Sequence, residues 1–187
     1  MIVLGSKSPR RKMLLEREIT KDFLTHSPDI NEELSYTLPT PLEAVRDIAK
    51  RKCESCIPLF KEHLIICADT IVVLGKEIIH KPKDEDDAKV ILRKLSDKTH
   101  QVITAYAIYY KEQLLIKHVI SDVTFNSLEN SLIDAYVASG SPLDKAGGYG
   151  IQDNEIFPIV KEYKGSYDNI VGFPINEIKI DIENLKK

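Results

Sequence analysis

Apolar residues recur along this chain in blocks whose period changes from one block to the next. Ile2-Val3-Leu4 is a short unbroken apolar run and predicts a buried strand. It passes through Gly5-Ser6-Lys7 to Ser8-Pro9, a good N-cap followed by proline at the first helical position, so a helix begins there. Thr40-Pro41-Leu42-Glu43 gives a second start as a capping box. That helix runs to about Cys56 with Leu42, Val45, Ile48, Ala49 and Cys53 on one face. Leu64 to Leu74 (LIICADTIVVL) is nearly all apolar and reads as a strand buried on both faces. Gly75-Lys76-Glu77 turns it into Ile78-Ile79, making a hairpin.

Asp84 to Leu95 is a third helix, with acids in its first turn and a stripe of Ala88, Ile91, Leu92 and Leu95. Val102 to Tyr110 reads as a strand, turned back by Lys111-Glu112-Gln113 into Leu114–Ile120, which continues through Val123 to Phe125. Ser127 to Ser139 and Ile175 to Leu185 read as helices. Strands and helices alternate in no strict βαβ rhythm, and hairpins interrupt them. The expectation is an α/β fold with a mixed sheet. No repeat, low-complexity tract or linker divides the chain, so residues 1–187 are expected to form a single domain.

Composition narrows the function classes. The 187 residues carry a net charge of −3 with 43% hydrophobic and 29% charged residues, a globular balance that does not favour general nucleic-acid binding. Three cysteines are too few and odd in number for a disulfide framework, which fits a reducing compartment. No apolar run reaches the ~20 residues of a membrane span, and Ile2-Val3-Leu4 is too short for a signal peptide's apolar region. A soluble cytoplasmic protein, with neither nucleic acid nor membrane as partner, is expected.

Several residues make little sense as structure alone. Arg10-Arg11 stand in the first turn of a helix, where exposed N–H groups favour anions; an external phosphate would complete such a site, although a solvated basic patch explains them equally well. Asp69 interrupts an apolar strand, which is costly unless the carboxylate is paired or binds metal; the alternative is an acid turned into a hydrogen bond at the strand's end. Lys52 falls on the apolar side of its helix, where a snorkelling stem is the blander account. Lys81 before Pro82, and Glu32 in Asp29-Ile30-Asn31-Glu32-Glu33, are ambiguous in the same way. Together these cations and carboxylates form an inventory suited to a triphosphate with a divalent cation.

Other chemistries fare worse. There is no Walker signature, and Ala146-Gly147-Gly148-Tyr149-Gly150 alone is weak evidence for a ligand loop. Cys53-x-x-Cys56 lies within a helix without a second pair at zinc spacing and is expected to be two semi-buried small residues. The five histidines show no metalloprotease pairing, and Ser6 and Ser8 lack a nucleophile-elbow context.

The ordered motifs resemble the Maf family of nucleotide pyrophosphatases. They are Ser6-Lys7-Ser8-Pro9-Arg10-Arg11, Asp29-Ile30-Asn31-Glu32, Ile48-Ala49-Lys50-Arg51-Lys52 and Ala68-Asp69-Thr70-Ile71-Val72. His80-Lys81-Pro82 and the run from Lys98 to Thr104 follow, then those from Asp144 to Gln152 and from Gly165 to Pro174. The resemblance implies a Maf/ITPase-like α/β fold: an elongated mixed sheet flanked by helices, in two lobes around a central cleft. It also implies a cytoplasmic enzyme, commonly dimeric, that cleaves a nucleoside triphosphate to monophosphate and pyrophosphate with Mg²⁺, Mn²⁺ or Co²⁺.

By the same resemblance Asp69 is the general base, and Asp69 with Glu32 holds the metal. Ser8, Arg11, Lys52 and Lys81 handle the triphosphate, and Arg10, Thr70 and Gln152 match the branch acting on dTTP and UTP. Three positions depart from the family pattern: Ala105 for glycine, Gly148 for alanine, and Ser141 for a glutamate. Two other functions stay open: a house-cleaning pyrophosphatase for modified nucleotides, and a nucleotide-binding regulator of cell division without turnover.

Overall fold

A computed structural model describes residues 1–187 throughout. In chain order the elements are β1 (Ile2–Gly5), α1 (Pro9–Glu18), β2 (Phe23–His26), α2 (Pro41–Phe60), β3 (Leu64–Leu74) and β4 (Glu77–Ile79). They continue with α3 (Glu85–Leu95), β5 (Thr99–Tyr110), β6 (Gln113–Phe125), α4 (Asn130–Ala138), β7 (Val160–Lys164), α5 (Tyr167–Val171) and α6 (Ile175–Leu185). A 3₁₀ turn at Glu32–Thr37 precedes α2, and three shorter ones lie between Ser141 and Asp153.

The seven strands form one sheet in the order β2-β1-β3-β5-β6-β7, with β4 paired to β3. β1 runs parallel to β2 and β3, whereas β4 is antiparallel to β3 and β7 antiparallel to β6. The sheet is therefore mixed and the fold α/β, as the sequence pattern implies. No helix is long and apolar enough to cross a membrane.

The chain divides into two compact units: Met1–Thr70, Thr104–Val119 and Gly172–Lys187 in the first, Ile71–Ile103 and Ile120–Val171 in the second. In the first unit, α1 begins where the sequence signals it, with the Ser8 hydroxyl accepting from the Arg11 amide and Pro9 in the first turn. Helix α2 contributes Cys53 and Cys56 to a core with Val3, Ile65, Cys67, Ala107 and Tyr109. The cysteines are fully buried and unbridged, more deeply than expected. Gly5 belongs here because a Cβ on it would lie 2.2 Å from the Cys67 sulfur. Helix α6 is pinned by Asp181, whose carboxylate accepts from the Tyr106 hydroxyl at 2.7 Å and pairs with Lys117 at 2.5 Å.

In the second unit, α3 starts at the Asp84 cap and buries Ala88, Ile91, Leu92 and Leu95, the stripe read from the sequence. Around them His100, Phe125 and Tyr149 meet edge-on, with ring centroids 4.7 to 5.3 Å apart. Within that cluster His100 Nε2 lies 2.7 Å from the Tyr149 hydroxyl. Burial pushes the His100 pKa down to about 4, so the imidazole is neutral at physiological pH.

Four elements exceed the sequence expectations. β2 and β7 are short and lie at the two ends of the strand order; only Val160 of β7 is buried, so neither shows an apolar run. The 3₁₀ turn at Glu32–Thr37 and the five-residue α5 are too short for a helical period to emerge. Helix α2 also continues past Cys56 to Phe60 through Pro58, which lies in its exposed last turn.

Candidate active site

Strand β3 carries Asp69 into the interior of the first unit, where the residue is only 8% exposed. An unpaired carboxylate there would be expensive. The compensating charge comes from Lys52 on α2, whose ammonium lies 2.7 Å from Asp69 Oδ1 and 2.7 Å from Glu32 Oε1. Glu32 reaches this point from the 3₁₀ turn, which the Asn31 side chain caps at the Glu33 amide. Two acids far apart in sequence thus share one cation, and their oxygens lie within twice that distance of each other. Lys52 is therefore neither a snorkelling stem nor a surface lysine; its side chain is 13% exposed.

Arg11 turns inward from α1. Its Nη1 donates to the Ala68 carbonyl at 2.7 Å, its Nε to the Gly172 carbonyl at 2.9 Å and its Nη2 to the Thr70 hydroxyl at 3.1 Å. Burial pushes its pKa below the ordinary arginine value, while Asp69 and Glu32 favour its charge. The Thr70 hydroxyl also contacts the Thr104 hydroxyl at 2.9 Å and the Gly172 carbonyl at 3.3 Å. Gly172 has φ +109°, and a Cβ there would lie 3.1 Å from Thr70 Oγ1. Ser8 caps α1, and Arg10 is half-buried in that helix's first turn, where its charge is felt by Arg11.

The structure thus groups Ser8, Arg10, Arg11, Glu32, Lys52, Asp69 and Thr70 in the first unit. Tyr36 joins them: its hydroxyl pKa is raised by burial and by the charges of Asp69 and Glu32, so it stays protonated beside the acids. Nothing in the local sequence marks Tyr36, because its neighbours are brought in by the fold.

Lys81 and Gln152 belong to the second unit and are both exposed. The segment bearing Lys81 is tied to the glycine-rich run, since the Gly147 amide donates to the His80 carbonyl at 3.3 Å. Gln152 follows Gly150, whose missing Cβ leaves room for the Gln152 amide, 2.7 Å from where that atom would be. The loop is held by Lys145, which donates to Ser141 and Asp144, and by Asp153, which accepts from both Ser141 and Tyr136 at 2.7 Å. Ser141, the departure from the family's glutamate, is thus linked to a carboxylate supplied by Asp153.

No three His, Cys, Asp or Glu side chains form a cage for a metal ion. Two converging carboxylates with hard oxygen donors nevertheless fit a cation of the Mg²⁺ type, which takes one or two carboxylates and completes its shell with water and substrate phosphate. Glu32 and Asp69 are that donor pair, and they already gather around a positive charge.

Comparison with known proteins identifies the family. The profile of the family described as "Maf-like protein" matches residues 1–185. A dTTP/UTP pyrophosphatase of Geobacter sulfurreducens is 43% identical over 98% of this chain and 96% of its own length. Proteins of the same name from Ruminiclostridium cellulolyticum and Pyrococcus furiosus are 41% and 39% identical, covering 100% and 93% of this chain and 96% and 90% of their own lengths. With a family profile spanning nearly every residue and relatives of this identity over nearly their full lengths, the chain belongs to the Maf family.

Proposed function

We propose that this protein is a nucleoside triphosphate pyrophosphatase that hydrolyses dTTP and UTP to the monophosphate and pyrophosphate. The observation that carries the reading is the shared ion pair of Lys52 with Asp69 and Glu32, a buried acid and a half-exposed one gathered at one cationic point. A pure nucleotide binder has no use for a buried carboxylate beside a second one. The names carried by the relatives, at 38 to 43% identity, support the same substrate class.

The reaction needs a water oxygen to bond to the α-phosphorus while the bridging bond to the β-phosphate breaks. The electron pair leaves with pyrophosphate, and the water's proton must be taken up. Asp69 accepts that proton. Lys52 orients the carboxylate and stabilises charge developing nearby, and Arg11 and Lys81 supply further positive charge for the phosphate oxygens. Ser8 and Arg10 present the N-terminus of α1 to the polyphosphate. Glu32 and Asp69 would hold a divalent cation (Mg²⁺, Mn²⁺ or Co²⁺), which would supply Lewis-acid neutralisation of the triphosphate.

Gln152 offers both a donor and an acceptor to a pyrimidine's carbonyl and imide edge, and the wrong base would leave them unpaired. Thr70, whose hydroxyl holds Arg11, couples base choice to the phosphate grip. Residues 1–187 act as one catalytic domain in the cytoplasm, a compartment that suits three unbridged cysteines. Pyrophosphate release from dTTP, UTP, dGTP, dCTP and modified triphosphates, with each metal in turn, tests it. Turnover concentrated on dTTP and UTP is expected; equal rates on all bases would overturn the base choice, and no release would overturn the activity.

A further inference from the structure

Glu32 sits on a six-residue 3₁₀ turn, and its side chain is 42% exposed. A half-exposed glutamate on so short and poorly hydrogen-bonded a turn has little reason to keep one position. Here the backbone on both sides of it is tied down by one guanidinium. Arg51 Nη1 donates to the Asn31 carbonyl at 2.9 Å and to the Ser35 hydroxyl at 3.0 Å. The Ser35 hydroxyl, on a residue only 1% exposed, donates in turn to Asp47 Oδ2 at 2.7 Å. Asp47 pairs with Arg51 along α2 at 3.8 Å.

The bonds bracket Glu32, one landing on the residue before it and one on the residue three after. The same turn of α2 presents Lys52, which takes the Glu32 carboxylate. Backbone and side chain of the acid are therefore fixed by consecutive residues of one helix. We infer that Arg51, acting through Asn31 and Ser35 and oriented by Asp47, positions the Glu32 carboxylate and so sets how tightly the site holds a divalent cation. The inference rests on the metal role proposed for Glu32. A clamp serving loop stability alone would change the melting temperature and leave metal affinity untouched, which separates the two.

The test uses the full chain and Mn²⁺ as probe. Free Mn²⁺ is followed by electron paramagnetic resonance, with enzyme alone and with a dTTP analogue whose α–β bridge is methylene. Arg51→Met, which keeps the apolar stem, is expected to bind Mn²⁺ about tenfold more weakly, as supporting groups around metal ligands commonly do when removed. Its kcat at saturating Mn²⁺ stays within a few-fold of wild type, while the Mn²⁺ concentration giving half-maximal turnover rises in step. Glu32→Gln serves as the reference. If Glu32→Gln loses Mn²⁺ and Arg51→Met binds it as wild type does, the inference is overturned and the metal reading stands. If Glu32→Gln itself binds Mn²⁺ normally, or the wild type binds none, both fall. Should Arg51→Met fail to fold, Ser35→Ala removes the hydroxyl shared by Arg51 and Asp47, and the same outcomes apply.

Discussion

Lys52 and Asp69 form an ion pair at 2.7 Å in which neither side chain is more than 13% exposed. Asp69→Asn keeps the shape and one hydrogen bond but removes the proton acceptor we propose, so turnover is expected to fall at least ~10²- to 10⁴-fold with the fold intact. Steady-state pyrophosphate release and a thermal melt check this together; near-normal release would remove Asp69 from the mechanism.

Lys52→Met should act on stability as well as on turnover. It leaves Asp69 buried without its cation, a change that typically costs about 3–5 kcal/mol when one partner of a buried pair is lost. Denaturant unfolding of the variant measures it. The Lys52→Met, Asp69→Asn double variant is expected to recover much of the stability but none of the activity.

Gly172→Ala tests the backbone behind Arg11. The position has φ +109°, and the new Cβ would press on Thr70 Oγ1, to which Arg11 donates. A loss of about 1–3 kcal/mol is expected for the strained conformation, with an increase in KM for dTTP as Arg11 and Thr70 shift. An unchanged KM would separate Arg11 placement from substrate binding.

Acid should destabilise the protein through His100. Its folded pKa of about 4 lies below the ordinary 6.5, so between those values the unfolded chain binds a proton that the folded one does not. Stability contributed by keeping this imidazole neutral is present above pH 6.5 and is lost as pH falls toward 4, reaching about 3 kcal/mol. His100→Phe should flatten that part of the pH profile relative to wild type, as read from urea midpoints at pH 7 and pH 5.

The β5–β6 hairpin offers a gain. Lys111 and Glu112 have φ +47° and +65°, the left-handed pair that a type I′ turn requires and that long side chains disfavour. Replacing both by Asn-Gly is expected to stabilise by about 1 kcal/mol, seen as a raised melting temperature without a change in turnover.

What could be read along the chain was what local chemistry determines. The caps at Ser8 and Thr40 place two helix starts correctly, because a cap acts within four residues, and the run of acids from Asp84 marks a third, in which Asp84 is itself the cap. β2 and β7 escaped notice because an edge strand with mostly exposed side chains has no apolar signature. Asp69 stood out as a charge in an apolar run, yet its partner Lys52 looked like an ordinary stripe-edge lysine until α2 and β3 were set side by side. Glu32 reads only as one ambiguous acid in a run that usually marks a solvated loop, and the family resemblance is what gives it a metal role. Tyr36 and Arg51 stayed invisible because their significance lies in what the fold brings beside them. Arg11, read as a ligand for external anions, turned out also to hold the carbonyls of Ala68 and Gly172.

The three-way contact of Lys52 with Asp69 and Glu32 also bears on how the protein behaves when chelated. A domain whose acids are gathered only by a metal collapses when the metal is stripped, as small zinc modules do. Here an ammonium belonging to the chain itself occupies the meeting point of the two acids, so repulsion between them is answered from within. Treatment with EDTA should therefore silence turnover while leaving the melting curve where it was, and added Mg²⁺ or Mn²⁺ should restore activity without a refolding lag. The chain supplies its own placeholder, so its fold is expected to outlast the loss of any metal.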